Sequence, residues 1–126
     1  MTSRIYITTP LYYVNDEPHI GHAYTTILAD VLARYHRLFG RNVRFLTGVD
    51  EHGQKVFEAA AKVGLNPQEW CDKMSARYIN IWDKLNIQYD VFFRTTNPKH
   101  VDFVQNVLQK LFDNGDIYVG EYAGWY

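Results

Sequence analysis

Pro18-His19-Ile20-Gly21-His22 sets two imidazoles three residues apart, immediately ahead of a helical stretch. At the first turn of a helix such a pair points to one side, the backbone N–H groups there favour an anion, and Gly21 has no side chain to keep a flat ring from the backbone. Imidazole donors beside a phosphate would stabilise the charge that builds as a nucleotide's α-phosphate is attacked, with no covalent step on the protein. A second polar string, Asp50-Glu51-His52-Gly53, follows a strand-like run. The Asp50 carboxylate there would hold a substrate ammonium, while Glu51 and His52 would contact a ribose or a phosphate.

Each feature also has a plainer reading. His-x-x-His at a helix end serves equally as a capping or surface pair, and Glu51 as an N-cap acid for the helix that starts after Gly53. His19, His22 and His52 offer three nitrogens, but they lack a cysteine partner and an H-E-x-x-H pattern, so no metal site is expected here. Lys73-Met74-Ser75 looks like the start of a phosphate-binding loop, yet it falls inside a helical run without a glycine to free the backbone and is read as helix surface. Tyr78, Trp82, Phe103 and Phe112, at helical spacing, are read as core.

The elements that must position these groups follow from local signals. Arg4 to Thr9 (R-I-Y-I-T-T) is β-branched and aromatic and is expected to form a strand ended by Pro10, with a loop over Leu11 to Pro18. Apolar residues at Ile27, Leu28, Val31, Leu32, Tyr35 and Leu38 predict a helix from Gly21 to Phe39, closed by Gly40. Asn42 to Thr47 reads as a second strand, and Gly48 to Gly53 as a loop too polar to be core. Gln54 to Val63 forms a short helix stopped by Gly64. Asn66-Pro67 and Asn97-Pro98 supply a cap and a first-turn proline for helices reaching about Leu85 and Phe112, with a short strand at Val91 to Arg94 between them. Asp116 to Tyr126 reads as an aromatic strand or hairpin.

Strands separated by helices of this length imply right-handed parallel crossovers and a doubly wound α/β sheet. In such a sheet both polar strings open into one crevice at the carboxyl ends of neighbouring strands.

Composition narrows the classes. A chain of 126 residues with 47% apolar and 21% charged residues is globular rather than disordered, and large enough for a real core. Thirteen basic against fourteen acidic residues give a net charge of −1, which excludes a global positive field for nucleic acid. The single cysteine, Cys71, makes no internal disulfide, no apolar run is long enough to span a membrane, and Met1 to Arg4 lead into the first strand without a signal peptide's long apolar stretch. A cytosolic address is expected. Ten Tyr, seven Phe and three Trp exceed what a minimal core needs, pointing to ligand pockets or to faces awaiting other parts of a larger protein.

The string I-T-T-P-L-Y-Y-V-N-D-E-P-H-I-G-H-A-Y-T (Ile7 to Thr25), followed by F-L-T-G-V-D-E-H-G-Q-K (Phe45 to Lys55), resembles the N-terminal catalytic half of the bacterial-type methionyl-tRNA synthetases. The His-Ile-Gly-His signature marks class I aminoacyl-tRNA synthetases in general, while P-L-Y-Y-V-N and T-G-V-D-E-H-G narrow the resemblance to methionine. The closing G-E-Y-A-G-W-Y resembles the entry to that family's connective insertion. The resemblance implies a Rossmann-type catalytic domain, with its first half at 1–115 and the start of the insertion at 116–126. In that family methionine and ATP, with Mg2+, form methionyl adenylate, and the aminoacyl group then passes to tRNA(Met). By the same resemblance Pro10, His19, Gly21, His22, Glu51 and His52 would lie along ATP, with His19 and His22 catalytic. Asp50 would bind the amino group of methionine, and Leu11 and Tyr13 would line its side-chain pocket.

The family's lysine-rich K-M-S-K-S loop and its zinc-bearing insertion have no counterpart in these residues, since Lys73-Met74-Ser75 stands in the wrong place. The chain also finishes within an aromatic, strand-like run. A cut through a larger protein is therefore expected, carrying about half an active site, with tRNA contacts elsewhere, weak or no activity of its own, and self-association through uncovered edges. Two alternatives remain at this point: a small nucleotidyltransferase with a related histidine motif, and a nucleotide-binding module without catalysis.

Overall fold

The computed structural model describes residues 4–121 and 123. It divides into two compact units, Met1–Thr95 and Thr96–Tyr126. The first contains β1 (Arg4–Tyr13), α1 (Ile20–Leu38), β2 (Asn42–Asp50), α2 (Gln54–Lys62), α3 (Pro67–Lys84) and β3 (Val91–Arg94). The strands form a parallel sheet in the order β1-β2-β3. Each parallel pair is joined through helix, so the unit is one βαβαβ wing of a doubly wound sheet, as the alternating pattern predicts. Tyr12 shows that both crossovers cover one sheet face: its hydroxyl bonds Thr26 of α1, and its ring stacks on Tyr78 of α3.

Pro10 does not end β1. The pairing passes from Thr8↔Leu46 to Leu11↔Gly48, so β1 carries one extra residue there, a bulge that accommodates a proline without a ladder N–H. The bulge changes which side chains turn inward. Ile5, Ile7 and Thr9 are the more buried residues before it, Tyr12 and Val14 after it. The strand thereby reaches Tyr13, and residues expected in a loop become the rim of the sheet. β2 likewise extends past Thr47 to Asp50, with Val49 fully buried. At Gly48 a Cβ would stand 2.1 Å from the Phe93 carbonyl oxygen, so only glycine lets β2 approach β3 in this register.

The helices begin and end where capping chemistry predicts. Asn66 accepts from Glu69 N–H while the Glu69 carboxylate accepts from Asn66 N–H, and Pro67 opens α3. Gly40 follows α1 at φ +68°, with Gly40 N–H bonded to Arg37 O and Arg41 N–H to His36 O, a Schellman closure. The faces are another matter. α1 turns Thr26, Ala29, Asp30 and Ala33 inward, whereas Ile27, Leu28, Val31, Leu32, Tyr35 and Leu38, the residues that announced the helix, are all exposed. Small side chains let the helix lie close on the sheet. Buried Asp30 accepts from Gln88 N–H at 2.8 Å and from Arg34 Nε at 2.6 Å, tying α1 to the segment that leads into β3.

The core joins Tyr12, Phe45, Val49, Met74, Tyr78 and Trp82. Met74 and Ser75 are buried, so the Lys73-Met74-Ser75 string is not the helix surface it was expected to be; only Lys73 faces solvent. In the second unit α4 (Pro98–Asp113) starts with the Asn97 side chain accepting from Lys99 N–H, as the Asn-Pro signal predicts. It has no buried residue, and Phe103 and Phe112 are exposed rather than core. Residues 116–121 and 123 contain no strand, against the expected strand or hairpin; Tyr122 and 124–126, the rest of that expectation, lie outside the described residues. No helix among the described residues is long and apolar enough to cross a membrane.

Candidate active site

The imidazole pair is itself the helix cap. His19 is the N-cap of α1, its Nδ1 accepting from Gly21 N–H at 3.1 Å, while His22 Nδ1 accepts from His19 N–H at 3.2 Å. This is the reciprocal arrangement of a capping box, with imidazoles in place of the usual hydroxyl and carboxylate. The two rings stack at 3.7 Å between centroids. Since each Nδ1 accepts a backbone proton, each neutral ring carries its own proton on Nε2 and presents a donor there. Burial, and then the neighbouring His19, push the His22 pKa below its ordinary value and favour this neutral form. Gly21 also matters to the cap itself. A Cβ at Gly21 would stand 2.9 Å from His19 Cε1, so the absent side chain makes room for the His19 ring.

Buried residues hold His22 from behind. Tyr78 Oη lies 3.2 Å from His22 Nδ1 and 3.4 Å from the Tyr13 carbonyl oxygen, and its pKa is pushed up to about 12, chiefly by burial, so it remains a phenol that can donate. The Tyr12 ring tilts against the imidazole at 4.7 Å between centroids. A core reading of Tyr78 was therefore correct but incomplete, because its polar end reaches the site.

Register brings the second string alongside. Tyr13 and Asp50 are cross-strand partners at the carboxyl ends of β1 and β2. A cleft of about 500 Å³ is lined by Pro10, Leu11, Tyr13, Asn15, His19 and His22 among others. A neighbouring hollow of about 290 Å³ is lined by Tyr13, Asn15, His52, Gly53 and the start of α2. The sequence predicts one crevice; among the described residues these two hollows adjoin at the same sheet end, with Tyr13 and Asn15 bordering both. Half-buried Asp50 lines neither. Its Oδ1 accepts from His52 N–H at 3.4 Å and from the Thr95 hydroxyl at 3.3 Å.

Glu51 parts company with the other site residues. Its side chain is fully buried, and Oε1 accepts from Ser75 Oγ at 2.6 Å and from Arg94 Nε at 2.8 Å. Burial opposes the charge of Arg94, but its bonds to Asp72 and Glu51 prevail and hold its pKa above the ordinary value. A carboxylate sealed in this way is not presented to a nucleotide. Nor does Glu51 cap α2, whose N-cap is Gly53 with no side-chain bond. Both expectations for Glu51 are corrected by its position: it follows the last strand residue and turns back under β3. Cys71, beside it, remains a thiol, its pKa raised to about 11 by burial and by Glu51.

Sequence reasoning overlooked Asn15 and Thr95. Asn15 lies in the P-L-Y-Y-V-N string but was assigned no role, and Thr95 has one local signal, its place just past the carboxyl end of the third parallel strand. Among the described residues no cluster of three or more His, Cys, Asp or Glu side chains is arranged to hold a metal ion.

Comparison with known proteins gives the family of the chain. The sequence model of the family described as tRNA synthetases class I (M) matches residues 5–126. The methionine–tRNA ligase of Thermosynechococcus vestitus is 56% identical over all of this chain and 24% of its own, and that of Thermotoga maritima is 54% identical over 98% of this chain and 20% of its own. Mycobacterium tuberculosis methionyl-tRNA synthetase in complex with methionyl-adenylate superposes with a TM-score of 0.91 at 41% identity, covering 98% of this chain and 24% of that one. The chain thus spans about a fifth to a quarter of the length of these relatives. With a parallel βαβαβ wing, the capping imidazole pair and the Asp50 turn at one sheet end, the chain belongs to the class I tRNA synthetase (M) family.

Proposed function

We propose that the chain supplies the first part of the active site of a methionine–tRNA ligase, holding ATP at the imidazole pair and the amino group of methionine at Asp50. The observation that carries this reading is the pairing of Tyr13 with Asp50, which sets an acid and the two imidazoles at the same end of a parallel sheet. In the reaction a methionine carboxylate oxygen attacks the α-phosphorus of ATP, pyrophosphate leaves, and a hydroxyl of the terminal adenosine of tRNA(Met) later displaces AMP from the acyl carbon.

Phosphoryl transfer of this kind needs placement and charge stabilisation more than covalent help. His19 and His22 would donate Nε2–H to phosphate oxygens as charge grows on them, and the helix N-terminus they cap favours the same charge. Asp50 would bind the methionine ammonium through a charge-assisted hydrogen bond, fixing the carboxylate for in-line attack. Pro10, Leu11 and Tyr13, on the cleft wall, would border ATP and the methionine side chain, and His52 and Gly53 the adjoining hollow. Mg2+ would arrive with the phosphates of ATP, as the described residues include no metal-holding cluster. The same reading assigns the protein to the cytoplasm, the remaining tRNA contacts to the rest of the ligase, and 1–115 and 116–126 to the half-domain and the start of its insertion.

Methionine-dependent ATP–pyrophosphate exchange by the full-length ligase tests it. His22→Ala is expected to lower kcat/KM by about a hundredfold or more, the range seen when one donor to a developing charge is removed, and Asp50→Asn by about ten- to a hundredfold through loss of its charge-assisted bond to the ammonium. Unchanged exchange in both variants overturns the reading.

A further inference from the structure

Behind Asp50 stands a residue that touches neither hollow yet is bonded to Asp50, Glu51 and His52 of the acidic turn. Thr95, buried just past β3, accepts from Glu51 N–H at its Oγ1 (2.9 Å) and donates from that hydroxyl to Asp50 Oδ1 (3.3 Å). Its carbonyl accepts from His52 Nε2 at 3.3 Å, and its own N–H donates to Val49 O at 3.4 Å. A hydroxyl has one proton. With one lone pair occupied by the Glu51 N–H, that proton is directed to the Asp50 carboxylate. The Glu51 end is fixed in turn, because its side chain is locked between Ser75 and Arg94 in the buried ion pair.

We infer that Thr95 is a positioning residue: its hydroxyl orients the Asp50 carboxylate by bonding Oδ1, so that Oδ2, which no described residue bonds, is left to the substrate ammonium. The inference rests on the amino-group role of Asp50 proposed above. These bonds hold a carboxylate that at a strand end would otherwise have free rotamers and would lose entropy on binding. They also give the Ser75–Glu51–Arg94 cluster a purpose besides stability, since the cluster anchors the N–H that orients the threonine hydroxyl.

The test uses the full-length ligase and compares Thr95→Val, which keeps the shape and removes the hydroxyl, with Thr95→Ser, which restores it. Thr95→Val is expected to raise KM for methionine about tenfold, the size of one hydrogen bond to a charged group, with KM for ATP changed less than twofold. Thr95→Ser should return methionine KM to near the parent value. In an Asp50→Asn background Thr95→Val should add little, because the two act through one carboxylate. Thr95→Ala, read the same way, replaces the valine variant should that chain not fold. A Thr95→Val enzyme with unaltered methionine KM, or one whose effect multiplies fully with Asp50→Asn, overturns the inference. Asp50→Asn with unaltered methionine KM would instead overturn the underlying assignment of Asp50.

Discussion

His19 and His22 cap one another's helix turn: His22 Nδ1 accepts the His19 backbone proton at 3.2 Å while the His19 ring, stacked on it at 3.7 Å, accepts from Gly21. The capping and functional readings of a His-x-x-His pair are therefore compatible, because the inward nitrogens do the capping and the outward ones are left as donors. Capping also fixes the tautomer, which converts a local folding device into a defined pair of N–H groups.

The two roles separate by substitution. Asparagine is among the best N-cap residues, so His19→Asn in the ligase should keep thermal stability near the parent's, while His19→Ala should cost about 1 kcal/mol. Both should lose methionine-dependent pyrophosphate exchange. Retained exchange in His19→Asn would mean that the ring does no more than cap.

Folding holds the His22 pKa below its ordinary 6.5, so between the two values the unfolded chain binds more protons than the folded one. Stability should rise with pH through that window, reach its full value above 6.5, and fall as the pH drops below it. Urea unfolding at about pH 5 and about pH 7.5 measures the difference, and His22→Gln, which keeps a capping-box residue but cannot titrate, should flatten it. An unchanged slope would place the titration elsewhere.

Glu51→Gln tests whether that side chain is structural. Breaking a buried ion pair leaves Arg94 without its sealed partner, and a loss of about 3 kcal/mol is expected in urea unfolding. Ser75→Ala should cost less, about 1 kcal/mol, since it removes a single bond to the carboxylate. A Glu51→Gln chain as stable as the parent would return Glu51 to the list of nucleotide contacts.

The outer face of α1 carries Ile27, Leu28, Val31, Tyr35 and Leu38 in contact with solvent. Prepared by itself, the 126-residue chain should show a sedimentation mass that grows with concentration, and Leu28→Glu with Val31→Lys should reduce it. A single monomeric mass at high concentration would count against an adhesive face.

Much of the site's placement was legible before any coordinates. A polar string after each of two parallel strands, the first reached through a loop, is expected at the same end of the sheet, and the imidazoles and Asp50 lie at that end. Glu51 departs from its neighbour Asp50 for a reason that no local signal carries. Adjacent residues at a strand end point opposite ways, and the partners that draw Glu51 inward, Ser75 and Arg94, are 24 and 43 positions away in the chain.

What the amino-acid sequence determined by itself is whatever acts within a turn or two: the Asn66-Glu69 box, the prolines after Asn66 and Asn97, the closure at Gly40, and hence the order of helices and strands. What only the tertiary structure decided is which way those elements face. α1 was announced by its large apolar residues, yet it buries Ala29, Ala33 and Asp30, because the space over β1 and β2 admits small side chains and a carboxylate for Gln88 N–H. The bulge at Pro10 and the bond from Thr95 to Asp50 belong to the same class. Capping energies are set by neighbours along the chain, whereas facing and register are set by volume and by partners that only folding brings near.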